Sequence, residues 1–182
     1  MDWVNAFREA LLALDVPDSW QIQLGGSEAY HRKKGRWVEV DPSDVEGRML
    51  ENEEIKLVPH IGDLHLAVYF IPRMTLVVNE KTETHLARHI TITMRPYYHS
   101  KTEEDAVGLF WKEYGGVVAL LEDYDYELRN QDVDFIDDDP EVNYFVDTSF
   151  WKSLRDCSAD EVIQEFVRLS TALAEELLVD DP

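Results

Sequence analysis

Asp63-Leu64-His65-Leu66-Ala67-Val68-Tyr69-Phe70-Ile71, followed by His89-Ile90-Thr91-Ile92-Thr93-Met94-Arg95, is the part of the chain whose reading decides the fold. Leu64, Leu66, Val68 and Phe70 alternate with His65, Ala67, Tyr69 and Ile71, and Ile90, Ile92 and Met94 alternate with His89, Thr91, Thr93 and Arg95. Period-2 alternation of this length predicts β-strands. Between them Met74, Leu76 and Val78 suggest a further short strand, with Pro72-Arg73 expected to break the run. The polar residues on one side of the 89–95 strand indicate an antiparallel sheet whose other side meets helices.

Before this sheet, Trp3, Phe7, Ala10, Leu11 and Leu14 share one helical face within residues 2–14, with Asp2 placed as N-cap and Pro17 ending the run. Residues 19–40 read as short strands including a hairpin, whose tip Arg32-Lys33-Lys34-Gly35 puts Gly35 at a positive-φ position. Ser43 and Glu46 have capping-box spacing for a short helix ending near Glu51. A subdomain of residues 1–55 could therefore precede the main sheet.

Thr102 precedes a second helical pattern made by Val107, Phe110, Trp111, Tyr114, Val117, Val118 and Leu121. Gly115-Gly116 in its middle costs about 1 kcal/mol per glycine relative to alanine, so a close contact or a kink is expected there. Val142, Tyr144 and Val146 read as another strand. Ser158 and Glu161 form a capping box for a closing helix with Val162, Ile163, Phe166, Leu169, Leu173 and Leu177 on its core face. The order strand, cap, helix thus occurs at 88–122 and again at 142–178, without repeated residues.

The expected fold is α+β: one domain over residues 1–182, with a twisted antiparallel sheet packed by two or three amphipathic helices, an N-terminal helix and a β-hairpin. Counted from Ser43, the order is helix, three strands, helix, one or two strands, helix. This order resembles that of the small acidic chaperones of type III secretion, which bind other proteins and do not catalyse.

Charge is the second strong signal. Residues 101–182 carry 23 acidic and 6 basic side chains, so -17 of the overall -21 lies in the C-terminal part. The densest stretch runs from Glu122 to Glu141, with Arg129 as its one base. Such a chain is repelled by anionic membranes and by nucleic acid, whose affinity for proteins comes from Lys and Arg on phosphates. A basic protein is the partner class that complementary charge selects. The 45% apolar content with abundant aromatics excludes global disorder. Cys157 is the single cysteine, which rules out an intramolecular disulfide and favours a reducing compartment, with cytoplasm as the expectation. No membrane contact and no cofactor are expected.

Partner-binding candidates are Asp123, Asp125, Asp132, Asp134, Asp137, Asp138, Asp139 and Glu141, which would steer association, and Tyr124, Tyr126 and Tyr144, which would supply desolvated contacts. The same acidity would also suit a solvated loop that confers solubility or salt adaptation. Asp132, Asp134, Asp137 and Glu141 lack the glycine and spacing of an EF-hand calcium loop. The alternative site is a histidine and carboxylate cluster, His60, Asp63, His65, His85 and His89, which would serve a metal-dependent enzyme if three or four converged. No motif supports that convergence, and surface histidines at strand ends are the ordinary reading. The basic tip His31–Arg36 could hold an anion or the acidic half of a second copy, giving a homodimer; as a charged hairpin end it would simply block sheet pairing. Cys157, flanked by Asp156 and Asp160, is not set up as a nucleophile.

The reading that follows is a non-enzymatic module that masks a basic surface of a partner, in the manner of secretion chaperones, immunity proteins or nucleic-acid-mimicking inhibitors.

Overall fold

A computed structural model describes the backbone of residues 1–61, 64–78, 80–136 and 143–179, with side chains described except at 60, 61, 64, 65, 74–78, 82–87, 136, 178 and 179. Its elements are α1 (Trp3–Leu12), β1 (Gln21–Leu24), β2 (Glu28–Lys33), β3 (Arg36–Val40), β4 (Ile55–Val58), β5 (His60–Ile61), β6 (Leu64–Val78), β7 (Lys81–Met94), β8 (Tyr97–His99), α2 (Glu103–Asp123), β9 (Glu127–Ile136), β10 (Asn143–Ser153) and α3 (Ala159–Val179). The fold is α+β, as the alternation and the amphipathic patterns predict. No helix among the described residues is long and apolar enough to cross a membrane.

Among the described residues every strand pairing is antiparallel, in the order β3-β2-β1-β4-β6-β7-β10-β8, with β5 on β6 and β9 on β10. The end of the expected 1–55 subdomain falls at the start of β4, which joins β1 to β6. The pleat carries one apolar row across the sheet: Leu24, Ile55, Phe70 and Ile90 are matched in register, as are Ile22, Leu57, Val68, Ile92 and Phe150. All of these are fully buried and meet Phe7, Phe110, Phe166, Leu169 and Leu173 of the helices. Each such side chain contributes about 1.5–3 kcal/mol by leaving water. Trp3, Phe7, Phe70 and Phe166 form the aromatic centre, with Phe7 to Phe166 edge-on at 5.3 Å.

Caps set the helix starts. The Asp2 carboxylate accepts from Asn5 N, Thr102 Oγ1 from Asp105 N, and Ser158 Oγ from Glu161 N while Glu161 accepts in return from Ser158 N. Three carboxylates in the first turn of α2 face the positive end of its dipole. α2 runs unbroken through Gly115-Gly116, and a Cβ on Gly116 would lie 2.5 Å from Glu176 Oε1 of α3, so the expected close contact is at that one glycine.

Three local expectations are corrected. Pro72 does not break the strand: β6 passes through it, because Ala87 and Arg88 bulge opposite it and the ladder bond that proline cannot donate is not required. The helix expected from Ser43 is only a 3-10 turn at Pro42–Asp44, capped by Asp41. Asp41 takes both Ser43 N and Ser43 Oγ, and the Gln21 side chain binds Asp44 O and Glu46 N, so these backbone groups are satisfied without a helix. The acidic stretch after α2 is not a loop: Glu127–Ile136 forms β9, which pairs with β10 along almost its whole length.

The second side of the sheet is unequally covered. Val45 and Leu50, from the segment between β3 and β4, pack on Ala29, Val58, Ala67 and Tyr69. Across β7, β10 and β9 the same side carries Thr91, Thr93, Arg95, Phe145, Asp147, Ser149, Asn130, Asp132 and Asp134, all half-buried or exposed.

Candidate functional site, an acidic sheet edge

Strand pairing gathers carboxylates that are separated in sequence. Asp132 on β9 stands directly opposite Asp147 on β10, and Asp134 stands opposite Phe145, so the three carboxylates share the open side of the sheet. Arg95, just after β7, reaches Asp147 at 3.1 Å and Asp134 at 3.6 Å, with its guanidinium 4.4 Å from the centre of the Phe145 ring. Asn130 donates to Asp132 at 2.6 Å. A shallow groove of about 270 Å³ runs between Thr93, Asn130, Asp132, Asp134, Asp147 and Ser149. Beside it lies a second hollow of about 360 Å³, floored by Val58, Ala67 and Phe145 and edged by Tyr69, Thr93, Arg95 and Asp147.

Three carboxylates around one guanidinium leave the groove negative. Partial burial pushes the Asp147 carboxyl above its ordinary range, helped by the hydrogen bond with Asp134 and by the charges of Asp134 and Asp132, while Arg95 opposes the shift.

The other expected partner residues are distributed differently. Asp123 and Asp125 are exposed at the end of α2. Tyr124 is half-buried under Arg168, 4.1 Å from its ring, and its carbonyl accepts from Lys152 at 2.7 Å. Tyr126 is 3% exposed and its hydroxyl donates to Glu165, so it closes the core and offers no surface to a partner. Tyr144 is half-buried, with Phe135 at 5.6 Å. Asp137, Asp138, Asp139 and Glu141 lie outside the described residues.

The histidine cluster is spread along the sheet. His60 and His65 are paired across β5 and β6, near the Met94 end of β7. His89 is paired with Ile71, and His85 lies beyond the Pro72 bulge, opposite Met74. At ~3.3 Å per residue these pairs sit on the order of 20 Å apart, well beyond what one metal ion spans. Asp63 lies outside the described residues, and His89 is buried against Trp151. Among the described residues no group of His, Cys, Asp and Glu could hold a metal ion.

The basic tip is partly neutralised within the chain. Lys34 N and Gly35 N donate to the Asp18 carboxylate, whose pKa these bonds lower, and Arg32 pairs with Asp15. The backbone donors that would hold an anion already hold one. Cys157 is half-buried against the core, with its carbonyl accepting from Arg88.

Sequence reading missed β9 itself, together with Arg95 and Asp147. A signal for the strand was present in Asp132-Val133-Asp134-Phe135, which alternates with period 2; Arg95 and Asp147 become neighbours of the acidic strand only through long-range pairing.

Comparison with protein-family models, with curated proteins and with solved structures finds no match for this chain.

Proposed function

We propose that this protein is a non-enzymatic binding module whose acidic sheet edge masks a basic surface of another protein. The observation that carries the reading is the convergence of Asp132, Asp134 and Asp147 on one exposed strand pair, with Arg95 as the counter-charge at hand. Arg95 occupies part of this carboxylate group in the way a partner's guanidinium would occupy the rest, bound to carboxylates and lying over an aromatic ring. Complementary potential of this kind accelerates encounter and rejects wrong partners. A chaperone, an immunity protein and a nucleic-acid-mimicking inhibitor all work by such masking, and a free thiol at Cys157 suits a cytoplasmic setting.

The test is capture from the native host's lysate at low ionic strength, released by a salt step, beside an Asp132→Asn, Asp134→Asn, Asp147→Asn variant. Recovery of one basic protein by the wild type alone, with affinity that falls as salt rises, supports masking. Equal recovery by both proteins, or none by either, assigns the acidity to solubility.

A further inference from the structure

Among the described residues β9 pairs only with β10, so its outer edge carries unpaired N–H and C=O groups. Residues 127–135 are exposed apart from half-buried Gln131 and Val133. A long open edge is a template for another strand, and proteins usually blunt it with charge, bulges or cover. Two such devices are present: Asp132 and Asp134, and the irregularity at Arg129, opposite the step from Ser149 to Phe150. They do not account for the opposite side of the strand. There Leu128 is 47% exposed and Phe135 51% exposed, with half-buried Gln131 and Val133 between them, and the adjacent apolar pair Val133 and Phe135 is one that edge protection does not call for.

Charge selects among occupants. Pairing two copies of β9 antiparallel about Val133 would set Asp132 against Asp134, and pairing them parallel in register would set each aspartate beside its twin. Like charges directly opposite one another are destabilising. An incoming strand with Lys or Arg at every second position and apolar residues between them meets both rows at once, since successive side chains point to opposite faces.

We propose that the free edge of β9 receives an extended segment of a partner protein, alternating basic and apolar residues, as an additional strand of the sheet. Backbone hydrogen bonds would provide affinity, and Asp132 and Asp134 on one side with Val133 and Phe135 on the other would provide selectivity. The proposal rests on the protein-binding reading above and specifies its geometry. Residues 130–136 offer a bulge-free run, matching a segment of about seven residues.

The experiment titrates the protein into a fluorescein-labelled Lys-Val-Lys-Val-Lys-Val-Lys peptide and follows anisotropy. Two further peptides carry backbone N-methyl groups, one on the lysines and one on the valines, each blocking one edge while keeping every charge. The expected result is binding of the parent peptide, at least about tenfold weaker binding of one methylated peptide, and near-parent binding of the other. An Asp132→Lys, Asp134→Lys variant, shown to be folded by circular dichroism, should lose at least about tenfold as well.

Equal binding of all three peptides would overturn strand addition and leave acidic masking standing. Equal loss in both methylated peptides, no binding of the parent, or full binding by the charge-reversed variant would also overturn it, while the lysate capture judges masking separately. A mass that doubles with concentration in light scattering, abolished by the charge reversal, would give the edge to a second copy and overturn the choice of partner.

Discussion

Asp132 and Asp147 face each other directly across β9 and β10, two carboxylates in register with Arg95 bonded to one of them. Asp147 holds its proton more tightly when folded than when unfolded, because burial and its acidic neighbours raise its pKa. Stability from this group therefore falls as pH rises from the ordinary carboxylate value to the raised native one, and stays reduced above it. Asp132→Asn removes one repulsion and leaves both Arg95 contacts in place. It should stabilise the protein at neutral pH by a few tenths of a kcal/mol, about 1 °C in Tm, and lower the Asp147 midpoint in a carboxyl NMR titration.

Lys56 is 1% exposed, with its ammonium donating to Arg48 O at 2.9 Å. Burial, with Arg48 adding repulsion, lowers its pKa to about 8. The folded protein thus releases this proton before the unfolded chain does, so the contribution to stability rises with pH between about 8 and the ordinary lysine value. Lys56→Met should be at least as stable as the wild type at pH 7 and should lack that rise, a difference of up to about 3 kcal/mol. Urea denaturation of both proteins on either side of the window measures it.

The two glycines of α2 should respond differently. Nothing lies within 4 Å of a Cβ on Gly115, so Gly115→Ala should gain about 0.5–1 kcal/mol from helix propensity. Gly116→Ala must displace the Glu176 carboxylate, the flexible end of a long side chain, and should gain less than Gly115→Ala. Thermal melts of the two single variants give the comparison.

Exposure separates edge from core among the phenylalanines. Phe150 is fully buried on β10, and Phe150→Ala should cost about 3–5 kcal/mol. Phe135→Ala on β9 should change stability by less than about 0.5 kcal/mol while weakening the basic peptide. A variant that loses binding without losing Tm marks Phe135 as contact surface.

Local signals were legible wherever the backbone had one attractive solution. Ser158 with Glu161, Thr102 and the Lys34-Gly35 tip each satisfy nearby groups, and the structure uses them as expected; Lys34 and Gly35 both have positive φ. Ser43 failed because Asp41 and Gln21 competed for the same backbone groups. β9 was hidden because carboxylates are poor strand formers, and its pairing with β10 outweighs that propensity. Of the acidic site, Asp132 and Asp134 could be named from charge density, whereas Arg95 and Asp147 belong to it only through sheet register.

The edge-on contact between Phe7 and Phe166 sets an order of events on the ribosome. α1 is made first among the helices, and Phe70 of β6 covers one side of the Phe7 ring, but the side that meets Phe166 stays open until α3 has emerged. β7 likewise lacks its neighbour β10 until residues 148–153 arrive. A nascent chain stopped near residue 100 would therefore show both an open strand and a greasy helix, making it a client for holding factors, and ribosome-stalled chains of increasing length should lose that protection requirement only once α3 is outside the exit tunnel.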